Sequence, residues 1–465
     1  MLMKRFWATG KAGSRQENVS QRDLTTRIER SGPESIGALN AQGSQSQLRR
    51  TGTVTSLYPE LGAILGKLHR SEGLTDEELK QFQRQLDALE RRAERKDEPA
   101  EPDEPIIRGP SRETILGHAT RAGTERLAGR FGANTCGFYR ESQGLFISSL
   151  GIGTYHGAMT RNTDDNYADS IHAALRGGIN LIDTSLSYRS QRSERAVARA
   201  LRRFLECDEG RRDEVVICSK GGYLVPDAMR EGTFDRDDVA GGCHCMAPGF
   251  LADQIERSRN NLEIGTIDVY YLHNPEEQLR WVSEAEFLNR IRRSFAQLED
   301  AVEKGFIRSY GMATWDGFLG GGLSLSTLAG IASELAGDGH HFRFIQLPVN
   351  LSRQQARTIP TQQGSCVLDV AAELGITAIA SATISQGRLA SGLSARIARL
   401  LPELETDAAR SIQFTRSTPG ITAALVGMRQ AAHVAENLRI SRATPLDAAS
   451  HARIEDALFG EAEQL

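Results

Sequence analysis

The sequence has few cysteines, no surplus of positive charge and no long apolar run. Six cysteines in 465 residues, unevenly spaced, do not make a disulfide framework, and a reducing, cytoplasmic compartment is expected. Lys plus Arg number 56 against 60 Asp plus Glu, so the bulk positive charge that draws in nucleic acid is missing. No stretch approaches the roughly 18 to 20 apolar residues that span a bilayer, so no membrane role is expected. The basic start, MLMKRFWATGKAGS, lacks a continuous apolar core, which argues against a secretory signal. Glu17, Asp23 and Glu29 argue against an organelle transit peptide.

What is present is ordinary for a soluble globular protein: 39% hydrophobic and 25% charged residues. The length suits one large α/β barrel with extra material, or two to three average domains. Residues 1–56 are rich in Gln, Ser, Arg, Gly and Thr without periodicity and read as a disordered tail. Residues 57–96 read as helical. Leu61, Ile64, Leu65 and Leu68 recur at helical spacing, Thr75 and Glu78 form a capping box, and Leu79, Phe82, Leu86, Leu89 and Ala93 continue a stripe. These helices either dock a protein partner or self-associate, or they pack on each other or on the rest of the chain. Residues 97–130, opening with DEPAEPDEP, read as a linker.

A different pattern fills residues 131–445, with 446–465 left as a terminal helix or tail. TCGFY and GLFISS flank RESQ, which reads as a β-hairpin turning at RESQ. Eight strand-like runs follow, at 150–155, 179–184, 214–219, 266–272, 306–312, 343–349, 376–381 and 421–426, most of them trailed by a helical pattern. Eight alternating units predict a (β/α)8 TIM barrel with an N-terminal β-hairpin. A doubly wound sheet is the competitor, but LGIGTYHG lacks the third glycine of its fingerprint.

Asp183 and Tyr188 fall at and just past the end of one run, and Lys220 and His273 just past the ends of two others. A parallel barrel gathers its strand ends on one face. A Tyr whose pKa is lowered by a neighbouring cation can protonate a developing alkoxide, with Lys220 as the cation, Asp183 holding it and His273 orienting the substrate oxygen.

These residues in this order resemble the aldo-keto reductase family over about residues 135–440. The resemblance rests on Asp183-Thr184 with Tyr188, on Ser193-Glu194, on Lys220 closing strand three and on Leu272-His273-Asn274-Pro275 closing strand four. It implies a catalytic tetrad of Asp183, Tyr188, Lys220 and His273. It also implies an extended nicotinamide nucleotide, NADP(H) with NAD(H) as the alternative, lying across the barrel mouth. Gly153-Thr154, Asp183 and Gln346 resemble the family's contacts to the nicotinamide half. Gln386, Gly387 and Leu389 resemble its pyrophosphate loop, and a glycine there admits phosphate close to the backbone. Gly427, Arg429, His433, Glu436 and Asn437 resemble the G-x-R-x6-E-N signature, with Arg429 facing a 2′-phosphate.

The chain departs from the family in three places. Ala313-Thr314 stands where Ser-Asn is common, leaving Thr314 alone for a carboxamide contact. Ser381 replaces a stacking aromatic. Arg189 follows the tyrosine where glycine is usual, with two extra residues before Ser193. Tyr155, Tyr223 and Trp315 are candidates for the wall of a substrate pocket. Cys243-His244-Cys245 lies in a long loop after Lys220, read as a substrate lid rather than a metal site because four ligands are not at hand. The expectation is an outlying NADP-dependent reductase of aldehydes or ketones; the alternative is a nucleotide-binding redox sensor subunit with slow turnover.

Overall fold

The computed structural model describes residues 113–462, except 133–134, 208, 226–229 and 231. The expected tail 1–56 and helical pair 57–96 lie outside the described residues, as does the linker up to residue 112. The rest of that linker differs from expectation: Arg121–Gly132 forms a 12-residue helix, α1. No proline interrupts it, and Arg126 ties it to Asp213 at 2.6 Å and Glu214 at 2.8 Å.

The hairpin pairs β1, Tyr139–Ser142, with β2, Leu145–Ser148. Its turn is Gln143-Gly144, not RESQ, because both residues take positive φ (51° and 71°). A two-residue loop with two left-handed residues matches the natural twist of a hairpin.

Eight parallel strands close the barrel. They are β3 (Leu150–Gly153), β4 (Leu181–Asp183), β5 (Val216–Gly221), β8 (Ile267–His273), β9 (Ile307–Ala313), β10 (Phe342–Pro348), β11 (Thr377–Ser381) and β12 (Ile421–Gly427). Between β5 and β8 a short ribbon pairs β6, Val239–Ala240, with β7, His244–Cys245. The strand order is β3-β4-β5-β8-β9-β10-β11-β12, closing back on β3. Every run read as a strand from sequence contributes to the barrel.

Helices wrap this sheet: α2 (Arg161–Arg176), α3 (Arg192–Glu206), α4 (Pro248–Leu262), α5 (Glu284–Glu303) and α6 (Leu325–Ala336) occupy the first half. Small polar caps start several of them, with Thr160, Ser283 and Ser324 each accepting from a backbone N–H in the first turn. The second half has α7 (Gln355–Thr358), α8 (Val367–Glu373), α9 (Ala395–Leu400), α10 (Asp407–Ser417) and α11 (Ala431–Leu438). Finally, α12 spans Ala448–Ala462, and its Ile454 packs with Leu351, Ile397 and Phe414 outside the barrel.

Strand periodicity divides the core in two. Ile152, Ile182, Ile217, Leu272, Met312 and Ile345 face the helices. Leu181, Val216, Cys218, Val269, Tyr271, Phe344, Ile379 and Leu425 fill the interior, with Ile147 of the hairpin among them. A full interior leaves the chemistry to the rim where the strands end. Gly151 belongs to that packing, since a Cβ there would lie 2.7 Å from Leu425 and 2.9 Å from Leu181.

Candidate active site

Side chains two residues apart on a strand share a face. Asp183 therefore follows Leu181 into the barrel, Lys220 follows Cys218, His273 follows Tyr271, Gln346 follows Phe344 and Ser381 follows Ile379. Cross-strand register brings these together as the upper layer: Gly427 pairs with Gly153, Gly153 with Asp183, Lys220 with Tyr271, His273 with Ala313 and Ala313 with Gln346.

At its centre the Lys220 ammonium donates to Asp183 Oδ2 at 2.6 Å and to the Thr184 carbonyl at 2.9 Å. Asp183 Oδ1 accepts from Gln346 Nε2 at 2.7 Å. Lys220 is buried, and its Nζ lies 4.6 Å from the centroid of the Tyr188 ring. The Tyr188 ring meets the His273 ring edge-on at 5.6 Å and the Tyr155 ring at 5.0 Å. The four residues from four separate positions in the sequence thus meet at the C-terminal end of the barrel.

Their proton affinities follow from burial and from one another. Burial pulls the Lys220 amine down, but Asp183 and Tyr188 outweigh it and hold the ammonium above its ordinary value. Burial likewise depresses His273 well below the usual histidine range, and Lys220 and His244 add to this, so its ring is neutral. For Tyr188 the expectation of an acidified phenol fails. Burial raises it to about 12, and the pull of Lys220 offsets that only in part because Asp183 and Tyr155 push the other way. Lys220 does lower the phenol, but burial is the larger effect and sets the net direction.

The loop after β4 holds Tyr188 by unusual means. Arg189, Ser190 and Gln191 all take left-handed φ (51°, 49° and 69°), a conformation costly for residues other than glycine. The buried Arg189 guanidinium anchors it by donating to the Ala158 carbonyl at 3.1 Å and pairing with Asp164. Ser193 donates to the Thr154 carbonyl at 2.8 Å, and buried Glu194 accepts from Ser219 at 2.6 Å and Asn261 at 2.8 Å. The Ser193-Glu194 pair therefore fastens the start of α3 to β3 and β5.

The residues matched to nucleotide contacts are spread around the same rim. Gly153 and Gly427 end adjacent strands; a Cβ would find nothing closer than 3.8 Å at Gly153 and 3.7 Å at Gly427. Gly387 is exposed, takes φ 93° and has nothing within 4 Å of its Cβ position; Gln386 beside it is also left-handed at φ 58°. Arg429 follows β12 and is exposed, while His433, Glu436 and Asn437 lie on α11, Asn437 buried. Buried Thr314 has an unpartnered Oγ1. Three residues are otherwise engaged. Thr154 is buried, with its hydroxyl donating to Thr184 Oγ1 at 2.9 Å, Gln346 has its amide nitrogen on Asp183, and Leu389 packs with the cluster of α9, α10 and α12.

Of the expected pocket walls, Tyr155 and Trp315 are 44% and 42% exposed. The loop of Trp315 is anchored by Glu276, which accepts from the backbone N–H of Trp315 at 2.8 Å and of Asp316 and Gly317 at 3.3 Å. Burial pushes the Glu276 carboxyl up to about 7. Tyr223 is a support as much as a wall. Its hydroxyl accepts from Asn274 at 2.9 Å and donates to Glu277, and its ring meets His273 edge-on at 5.0 Å.

In the loop read as a lid, His244 turns inward. Buried His244 lies behind His273, its Nε2 2.8 Å from the His273 carbonyl and its Nδ1 3.0 Å from Gln278 Nε2. Both ring nitrogens are engaged, so neither is free for a metal. Sequence analysis names His244 without this role and does not single out Gln278 or Glu276; the NPEEQ run after His273 is the available signal, but nothing in it says which side chains turn back.

A sequence description of the Aldo/keto reductase family matches residues 149–458. A 6-dehydroglucose reductase of Novosphingobium aromaticivorans is 25% identical over 308 residues, covering 63% of this chain and 86% of that protein. An NADH-specific methylglyoxal reductase of Escherichia coli is 30% identical over 178 residues, 37% of this chain and 50% of that one. The chain thus spans about half the length of some curated relatives it matches. An aldo/keto reductase of Klebsiella pneumoniae, solved with NADP and acetate, superposes with a TM-score of 0.51 at 19% identity, covering 70% of this chain and 95% of that one. With a closed eightfold barrel and a family match over two-thirds of its length, the chain belongs to the aldo/keto reductase family.

Proposed function

We propose that this protein reduces an aldehyde or ketone to the alcohol, with Tyr188 as proton donor. The observation that carries the reading is the Asp183–Lys220–Tyr188–His273 cluster at the rim, with the ammonium 2.6 Å from Asp183 and 4.6 Å from the phenol ring centroid. A dihydronicotinamide nucleotide bound across the rim supplies the hydride. The open glycine surfaces at Gly153, Gly387 and Gly427 and the unpartnered Thr314 hydroxyl fit such a ligand. Arg429 would hold a 2′-phosphate, favouring NADP(H) over NAD(H), with Gln386, His433, Glu436 and Asn437 on the adenosine and phosphate side. Gln346, Thr314 and Ser381 would flank the nicotinamide, and Tyr155 and Trp315 the carbonyl substrate.

Each side chain has a separable task. A phenol raised to about 12 is fully protonated near neutral pH and thus in the form that donates. Lys220 stabilises the phenolate left after transfer, and Asp183 keeps Lys220 charged and in place. His273 Nδ1 lies 3.4 Å from Ser185 Oγ, and a neutral ring that carries its proton on Nε2 offers it to the carbonyl oxygen. Two donors converging on one oxygen orient it and stabilise the charge it gains. A cytoplasmic, reducing setting accords with six free thiols.

Tyr188→Phe tests the assignment: turnover of a carbonyl panel should be lost while NADPH binding, followed by nucleotide fluorescence, persists. Activity retained by this variant removes Tyr188 from the mechanism.

A further inference from the structure

We propose that His244, the middle residue of Cys243-His244-Cys245, is a positioning residue that fixes His273 through its backbone carbonyl. The inference rests on the role just given to His273.

The hydrogen bonds read in only one direction. A guanidinium can only donate, so Arg290 NH1, 3.0 Å from Gln278 Oε1, identifies that atom as the amide oxygen. Gln278 Nε2 then donates to His244 Nδ1 across 3.0 Å, and that nitrogen carries no proton. The single ring proton of neutral His244 sits on Nε2, where it donates to the His273 carbonyl at 2.8 Å. Burial pulls the His244 pKa down to about 4, so the ring stays neutral under ordinary conditions. The tautomer is set by a residue two hydrogen bonds away on another helix.

The same elements hold His244 itself. Arg290 on α5 also donates to the carbonyls of Asp237 at 2.7 Å and Asp238 at 3.0 Å, beside the ribbon that carries His244. Backbone bonds from Leu224 to Cys243 (2.8 Å) and from Cys245 to Gly222 (2.7 Å) pin the His244 segment along residues 222–224. Gly222, at φ 133°, leaves the room: a Cβ there would come within 2.7 Å of His244 Nε2. Between the two histidines stands Tyr223, edge-on to His244 at 5.3 Å and to His273 at 5.0 Å. The carbonyl of His273 lies at the end of β8, where the next residue, Asn274, turns left-handed at φ 50° and the ladder ends. The N–H of that same peptide bonds the Ala313 carbonyl at 2.7 Å, and His244 supplies the partner for its carbonyl side.

The test uses the full-length protein with 15N-labelled histidine, NADPH and an aldehyde that the wild type turns over. Long-range 1H–15N spectra should show His244 protonated on Nε2 only. His244→Gln keeps an N–H directed at the carbonyl; His244→Met fills similar space without a donor. With the methionine, the His273 ring resonances should move and kcat should fall by up to about 100-fold, the scale of an ångström of misplacement. NADPH affinity should hold in both variants, and the glutamine should restore most of the rate. Gln278→Glu provides a second route that leaves His244 in place. Its carboxylate draws the neutral ring's proton to Nδ1, turns a lone pair on Nε2 toward the His273 carbonyl, and should lower kcat at alkaline pH. Equal rates for His244→Met and His244→Gln, or a His244 protonated on Nδ1 in the wild type, overturn the proposal. Lack of turnover by the wild type would instead sink the reductase reading. The His273 resonances then decide the positioning claim alone, upheld if they shift in His244→Met and overturned if they do not.

Discussion

Replacing Asp183 by Asn should strand a charge inside the barrel. The variant keeps an acceptor near Lys220 but removes the negative charge 2.6 Å from a buried ammonium. Breaking a buried pair at one partner typically destabilises by about 3 to 5 kcal/mol. Deprotonation sets an upper limit, because neutralising an ordinary lysine at pH 7 requires about 4.6 kcal/mol. In the wild type Asp183 and Tyr188 raise Lys220, so its contribution to stability is fully present below the ordinary lysine pKa and is lost as pH rises from there through the folded value. In Asp183→Asn burial acts unopposed by the carboxylate and Lys220 falls below its ordinary value. The unfolded chain then binds the extra proton, and the variant gains stability as pH rises. Urea unfolding of both proteins should therefore show a gap of about 3 to 5 kcal/mol at pH 7, narrowing to about 2 kcal/mol at pH 9. A gap of constant size across that window refutes the argument, since it would mean that Lys220 is not the group left unpaired.

Two further outcomes follow from the rim. Glu276 is raised to about 7 by burial, so the folded protein takes up its proton before the unfolded chain does, and stability should increase as pH falls from about 7 toward 4.5. Glu276→Gln should lose that pH dependence, at most about 3 kcal/mol, in thermal melts run across the window; an unchanged profile assigns the dependence elsewhere. Arg429→Met should weaken NADPH binding by tenfold or more, about 1.4 kcal/mol for one lost phosphate contact, and leave NADH nearly unaffected. Equal losses for the two nucleotides, measured by fluorescence titration, would place Arg429 away from a 2′-phosphate.

The barrel was legible because its cause is local. The eight runs are short, most are rich in apolar residues, and most end before a helical stripe, so period and length announce β/α units without any knowledge of the partners. The hairpin turn lies two residues beyond the centre of RESQ, because RESQ is polar whereas Gln143-Gly144 bends on backbone angle, a property polarity does not report. Helix α1 was taken for linker because the prolines of residues 97–110 coloured the reading of what followed. What holds α1 in place, Arg126 on Asp213 and Glu214, lies nearly ninety residues away along the chain.

The site divides along the same line. Strand ends deliver Asp183, Lys220, His273 and Gln346 to one layer by period-two alternation, and that alternation is visible in the sequence. The sign of the Tyr188 shift is not. Whether a neighbouring cation acidifies a phenol depends on how deeply the phenol is buried, and for Tyr188 burial outweighs the pull of Lys220. His244 was hidden for a related reason. Its role is set by a relay from Arg290 through Gln278, three residues from three elements, and only the fold brings them into line. A resemblance can identify the side chains that meet a substrate, but the donors that fix their tautomer and aim come from segments that only the fold brings beside them. If His244 positions His273 as proposed, a change in the ribbon 239–245 should alter turnover before it alters what binds.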